Sequence, residues 1–200
     1  MAEPGIKLRK TRIEQKLNLT EIIGKDISSD PVLVRKIAQG IIDYMVDRAK
    51  DGKGIGRKDL KSPYSKAYAE SLAFKAAGKS RNNVNMTLSG DMLRSIDILE
   101  EDGASVVIGI DDPTDAPKAY GHQTGFEGHP TIPQGKYRRQ FFGVTTDEVK
   151  KEIIPKFKSE IDRSVGTRAV SSLETQEAAI DFVQGIRNLG QLFEIEEEIE

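Results

Sequence analysis

Residues 96–110, Ile96-Asp97-Ile98-Leu99-Glu100-Glu101-Asp102-Gly103-Ala104-Ser105-Val106-Val107-Ile108-Gly109-Ile110, read as two strands joined by a tight turn. Ile96 and Ile98 open an apolar alternation, and Asp102-Gly103 is a hairpin signal. Ser105 to Ile110 is a short, nearly continuous apolar strand that Asp111-Asp112-Pro113 breaks. A third strand is expected at Arg139-Gln140-Phe141-Phe142-Gly143-Val144, burying its aromatics. Successive strand side chains alternate sides, so one of Phe141 and Phe142 should be core and the other should meet a facing helix or a neighbouring subunit.

Two long helices flank these strands. Over residues 31–50, Asp30 is the expected N-cap and Pro31 occupies the first helical position, where its missing N–H costs nothing. Val34, Ile37, Ala38, Ile41, Ile42, Met45, Val46 and Ala49 then form one apolar stripe, which must pack on something. Over residues 146–163, Thr145 and Glu148 make a capping box, and Val149, Ile153, Ile154, Phe157 and Ile161 form the buried side. Pro155 should kink or split that helix. Shorter helical pieces are expected over residues 64–77, closed by Gly78, at residues 89–95, and over residues 115–120 ahead of a Gly/His/Pro-rich loop to about residue 136. Residues 1–29 read as a basic arm with sparse apolar residues, and from about residue 165 a Ser/Thr-rich linker leads to a helix over about 173–189 and an acidic tail. The expected fold is therefore α+β: a small antiparallel sheet of about three strands against two longer helices, with a core over residues 30–164 and terminal arms at 1–29 and 165–200.

Composition narrows the chemistry. The 200 residues carry 30 Lys+Arg against 32 Asp+Glu, a formal charge of −2, which excludes a global basic field for gripping nucleic acid. Cysteine is absent, which removes disulfides, thiolate zinc sites and Cys nucleophiles. No apolar run approaches the ~20 residues of a membrane span. Gly52-Lys53-Gly54-Ile55-Gly56-Arg57-Lys58 lacks the order of a P-loop, and Arg57 stands where a dinucleotide fingerprint needs its third glycine. The only histidines are His122 and His129. Either can join Asp111, Asp112 or Asp115 at a metal, but those acids are better explained as turn and cap residues. Ser89 and Ser95 lie outside any nucleophile elbow. No catalytic, metal or cofactor site is expected.

The ordered run is Pro63-Tyr64-Ser65-x-x-Tyr68-Ala69, Met86-Thr87-Leu88-Ser89-Gly90-Asp91-Met92-Leu93-Arg94-Ser95-Ile96, Val106-Val107-Ile108-Gly109, Ala119-Tyr120-Gly121-His122-Gln123-Thr124-Gly125, Ile132-Pro133 and Arg138-Arg139-Gln140-Phe141-Phe142-Gly143. This resembles the phage virion morphogenesis family, the Mu-type tail-completion or head–tail joining proteins, over roughly residues 62–163. The final motif departs from the family's usual R-P-F, since Gln140 replaces the proline that presets φ.

The resemblance implies a structural protein at the head–tail neck of a virion, assembled in the host cytoplasm. Such proteins form homo-oligomeric rings, commonly hexameric, which meet other neck, tail-tube, sheath and connector proteins while duplex DNA passes without specific binding. Tail-terminator and head-side stopper rings are the alternatives within that class. From another class, the rival is a nucleic-acid-associated protein using the basic N-terminal arm. Leu88, Met92, Leu93 and Ile96 are expected in the core, Ser89 as a local cap, Gly90 and Gly125 at turns, and Gly143 as a motif position of the expected third strand. His122 and Gln123 are expected to satisfy backbone groups of their turn or to contact a subunit. Arg139 should bridge carboxylates, within one chain or across a ring interface, and Phe141 and Phe142 are further contact candidates.

Overall fold

The structure is a computed structural model that describes residues 5–60, 63–82, 84–86, 90–126, 137–166 and 176. In chain order its elements are β1 (Ile6–Arg9), β2 (Arg12–Asn18), α1 (Leu19–Ile23), α2 (Pro31–Lys50), α3 (Lys66–Ala69), α4 (Leu72–Ala76), α5 (Asp91–Arg94), β3 (Asp97–Asp102), β4 (Ser105–Ile110), α6 (Asp115–Thr124) and α7 (Thr146–Glu148). The class is α+β, as the sequence implies. The chain falls into two compact units, Met1–Lys158 and Ser159–Glu200; in the second, residues 159–166 and 176 are helical.

The sheet has four antiparallel strands in the order β1-β2-β4-β3, and none of the additional strand content comes from the expected third strand. It comes from the N-terminus. The expected arm is instead two strands and a short helix of the core, with β2 the internal strand beside β4. Ile13, Leu17, Leu19 and Ile27 are all fully buried. Burying such side chains stabilises by on the order of 1.5–3 kcal/mol each, which together with the sheet hydrogen bonds offsets the ~1–2 kcal/mol per residue of backbone entropy that a free arm would keep. In strand periodicity Ile13, Gln15 and Leu17 share one face, and the polar Gln15 at its centre disguised the alternation.

The β3–β4 hairpin pairs Asp102 with Ser105, with Gly103 at φ 55°, as the turn signal implies. α2 matches its expected bounds, and Asp30 accepts the Leu33 N–H at 2.9 Å. It lies across β3 and β4, while α6 packs against β1 and β2. Its buried stripe adds Leu33 and one charged residue, Arg48, which is 4% exposed. Residues 64–77 form two short helices, each capped by a serine: Ser65 accepts from Tyr68 N–H and Ser71 from Phe74 N–H.

The Thr145–Glu148 capping box is present. Ahead of Pro155 the helix widens into a π-helical stretch, Val149–Ile153, before α-helical geometry resumes. Proline cannot donate the next bond and its ring crowds the carbonyl four residues back, so a widened turn is a physical answer to it. Phe157 lies over Gly40 of α2, where an added Cβ would stand 2.9 Å from its ring. Among the described residues, no helix is long and apolar enough to cross a membrane.

Candidate functional site

Residues 139–145 form no strand: Phe141 N–H turns back to the Arg139 carbonyl at 3.0 Å and the chain bends at Phe142. Side chains from three other elements supply the hydrogen bonds that a neighbouring strand would have made. Gln123 of α6 donates to the Phe142 carbonyl at 2.9 Å and accepts the Phe142 N–H at 3.4 Å. Gln15 of β2 does the same for Val144, at 2.8 and 2.9 Å. Arg48 of α2 donates one terminal nitrogen to the carbonyls of Phe141 and Gly143, at 2.8 and 2.7 Å. A primary amide presents a donor and an acceptor side by side, so each glutamine pairs with one residue's N–H and C=O as a strand would.

With the ladder supplied this way, the segment need not keep a strand's pleat. Phe141 and Phe142 are both fully buried, so of the two places expected for the second ring, a facing helix or a neighbouring subunit, burial within the chain excludes the neighbour. Gly143 follows them with a φ of +106°, a conformation that side chains rarely adopt, and a Cβ there would collide with Ile6. Gln123, Arg139, Phe141 and Phe142 are thus inside the chain and not contacts for a partner surface.

Arg48 also anchors the following helix. Its other terminal nitrogen donates to Glu148 at 2.7 Å, and Tyr44 donates to the same carboxylate oxygen at 3.0 Å. Burial works against the Glu148 carboxylate, but the Thr145 N–H and the Arg48 guanidinium outweigh it and hold its pKa below the usual range. Burial pushes the Tyr44 hydroxyl up, with the Glu148 charge adding to it. The glycine-rich loop braces the same segment from outside: Ile55 N–H donates to the Gln140 carbonyl at 2.9 Å. A Cβ on Gly54 would stand 2.5 Å from that carbonyl oxygen. Gly54 therefore serves close backbone approach, while Gly52 and Gly56 supply positive φ.

At the other end, Arg139 bonds to His122 and to Pro63. Its N–H meets the His122 carbonyl at 2.7 Å, and its guanidinium reaches His122 Nδ1 at 3.3 Å and the Pro63 carbonyl at 3.2 Å. It also lies 4.8 Å from the centre of the Tyr64 ring, which packs with Tyr68 and Phe74 in a three-ring cluster. Burial lowers the Arg139 pKa. His122 is on α6 and not in a loop, because the helix continues through Thr124 and ends at Gly125, with φ 77°. Its ring meets Phe126 edge-on at 5.1 Å. Phe126 folds back over Gly121, where a Cβ would stand 2.8 Å from it. Although His122 as a whole residue is only half-buried, its ring sits deep enough that burial, followed by the Arg139 charge, pushes its pKa down to about 3. His122 is neutral at ordinary pH.

Leu93 and Ile96 are core residues and Met92 is half-buried, while Gly90 caps α5 in the left-handed conformation, φ 79°. Leu88, Ser89, His129, the Ile132-Pro133 loop and nearly all of the C-terminal extension lie outside the described residues. Asp112 accepts the N–H groups of Thr114 and Asp115, the turn role expected of it. Among the described residues no group of three or more His, Cys, Asp or Glu is placed to hold a metal ion. The residues missed at the sequence level are Gln15, Tyr44 and Arg48. The signal for Gln15 and Arg48 was a polar residue at an inward position of an otherwise apolar pattern.

No protein-family model, curated protein or solved structure matches this chain. The geometry stands alone: within residues 119–125 and 138–143, quoted above for the resemblance, Gln123, Arg139, Phe141 and Phe142 form one buried framework.

Proposed function

We propose that the chain is a non-catalytic subunit of a tailed-phage particle, of the tail-completion or head–tail joining kind, acting as a ring of identical copies at the neck. The observation that carries this reading is the convergence of its two motif segments. Gln123 locks the backbone of Phe142, Arg139 locks onto His122, and the whole is held across β2, α2 and α6. Residues used this way preserve a shape. Shape is what closed heterologous contacts between copies require. Tail-terminator and head-side stopper readings use the same ring and differ in the component it meets.

The passing DNA is not gripped in this reading, consistent with the formal charge of −2, because neutralising phosphates would strengthen binding through counterion release. One feature favours the rival class: Lys7, Arg9, Lys10, Arg12 and Lys16 lie together on β1, β2 and their turn. Tight duplex binding that weakens steeply with salt in a gel-shift titration would favour that rival. The direct experiment interrupts the gene in the phage that encodes it. DNA-filled heads and separate tails should accumulate, and added purified protein should join them. An unchanged yield of infectious particles refutes the proposal.

A further inference from the structure

We infer that copies of this chain join edge to edge through the sheet, β1 of one copy against β3 of the next. β1 and β3 are the two edges of the sheet, and among the described residues no strand lies beyond either. An open edge presents a row of unpaired N–H and C=O groups and is a template for another strand. Proteins usually blunt such edges with charge, and here each edge carries its own sign.

The register places Lys7 and Arg9 of β1 on the sheet face away from the helices, continuing into Arg12 and Lys16 of β2. Across the sheet, Asp97, Glu100 and Asp102 of β3 are exposed, paired with Gly109, Val107 and Ser105 on that same outer face. The two signs already attract within one chain, since Arg12 reaches across β4 to Glu100. Lys7 also meets Glu14 at 3.4 Å. Like edges therefore repel and unlike edges attract. That selects a heterologous, head-to-tail contact over a two-fold one.

Strand direction agrees. All three pairings are antiparallel, so β1 and β3 run oppositely, and a copy repeated around an axis presents β1 antiparallel to its neighbour's β3. Leu8, on the helical side of β1, is one of the large apolar residues left exposed, at 36%. The register shift between Ile98 and Glu100 leaves Glu100–Asp102 as the regular stretch for a partner. The contact is short, so assembly should be weak and salt-sensitive, because charges more than ~10 Å apart are largely screened at 0.1 M salt.

The inference rests on the self-assembling reading above, and the test separates the two. Sedimentation of the full chain at rising concentration and low salt should show oligomers, with apparent association falling by ~10-fold or more in high salt. Lys7→Glu/Arg9→Glu makes both edges acidic, and Glu100→Lys/Asp102→Lys makes both basic. Each variant alone should stay monomeric, and an equimolar mixture should assemble, because each supplies the edge the other lacks. Circular dichroism of each variant checks that the fold is retained. Oligomers that persist in both variants and in high salt, or a mixture that stays monomeric, overturn edge pairing while leaving the ring intact as a reading. A wild-type chain that stays monomeric overturns edge pairing too, and the head-joining assay then decides the ring separately.

Discussion

Replacing Arg48 with Met tests the framework at its most connected point. The substitution keeps most of the volume of the stem but removes three hydrogen bonds: those to the Phe141 and Gly143 carbonyls and that to Glu148. Arg48 and Glu148 side chains are 2% and 7% exposed, so the carboxylate is left inside without its cation. Breaking one side of a buried pair costs ~3–5 kcal/mol, a large part of the ~5–15 kcal/mol that holds a typical domain folded. The sign with pH is determined too. Removing Arg48 takes away one of the influences that lower the Glu148 pKa, so the mutant's native carboxylate protonates at higher pH than the wild type's. The deficit is therefore full at neutral pH and shrinks as pH falls through the mutant's Glu148 pKa. Urea unfolding at pH 7 and pH 4, with Glu148→Gln and the double variant completing a cycle, measures both effects. If Arg48→Met unfolds the chain outright, Glu148→Gln carries the test, with a smaller loss expected. A loss within ~0.5 kcal/mol of wild type, or a deficit that ignores pH, refutes the framework.

Three further outcomes are expected. Gly143→Ala should lower the melting temperature much more than Gly24→Ala. Both sites have positive φ, costing ~1–2 kcal/mol in a left-handed conformation, but only at Gly143 does the new Cβ strike a neighbour, while the space around Gly24 is open. Gln123→Met should cost about 2–6 kcal/mol by chemical denaturation, since the buried N–H and C=O of Phe142 each lose a partner worth ~1–3 kcal/mol when left unmet. Because His122 is held neutral to about pH 3, stability should fall as pH drops from about 6.5 toward 3, where the unfolded chain binds the proton and the folded chain does not. His122→Asn should flatten that part of the stability–pH curve, and an unchanged slope would count against the burial of the ring.

What could be read from the sequence was what neighbouring residues decide among themselves. Asp30 with Pro31, Thr145 with Glu148, and Asp102 with Gly103 act within one turn, so helix starts and the hairpin were legible, as was the α+β class. Pro155 announced a disturbance, expected as a kink or a split, and it takes the form of a π-helical stretch. The N-terminal strands were not legible, because the partner of Ile13 is Ile110 and nothing local reports a pairing across that separation. Residues 139–144 misled for the complementary reason. Their composition has the β character of a strand, but their hydrogen bonds come from Gln15, Arg48 and Gln123, which only the folded chain brings together. Local chemistry determines where helices and turns begin, since its energies need no distant partner. Which polar side chains become interior backbone substitutes, and which segments become sheet edges of opposite charge, was decided by tertiary structure alone, because a buried polar group has a place only where the rest of the fold satisfies it.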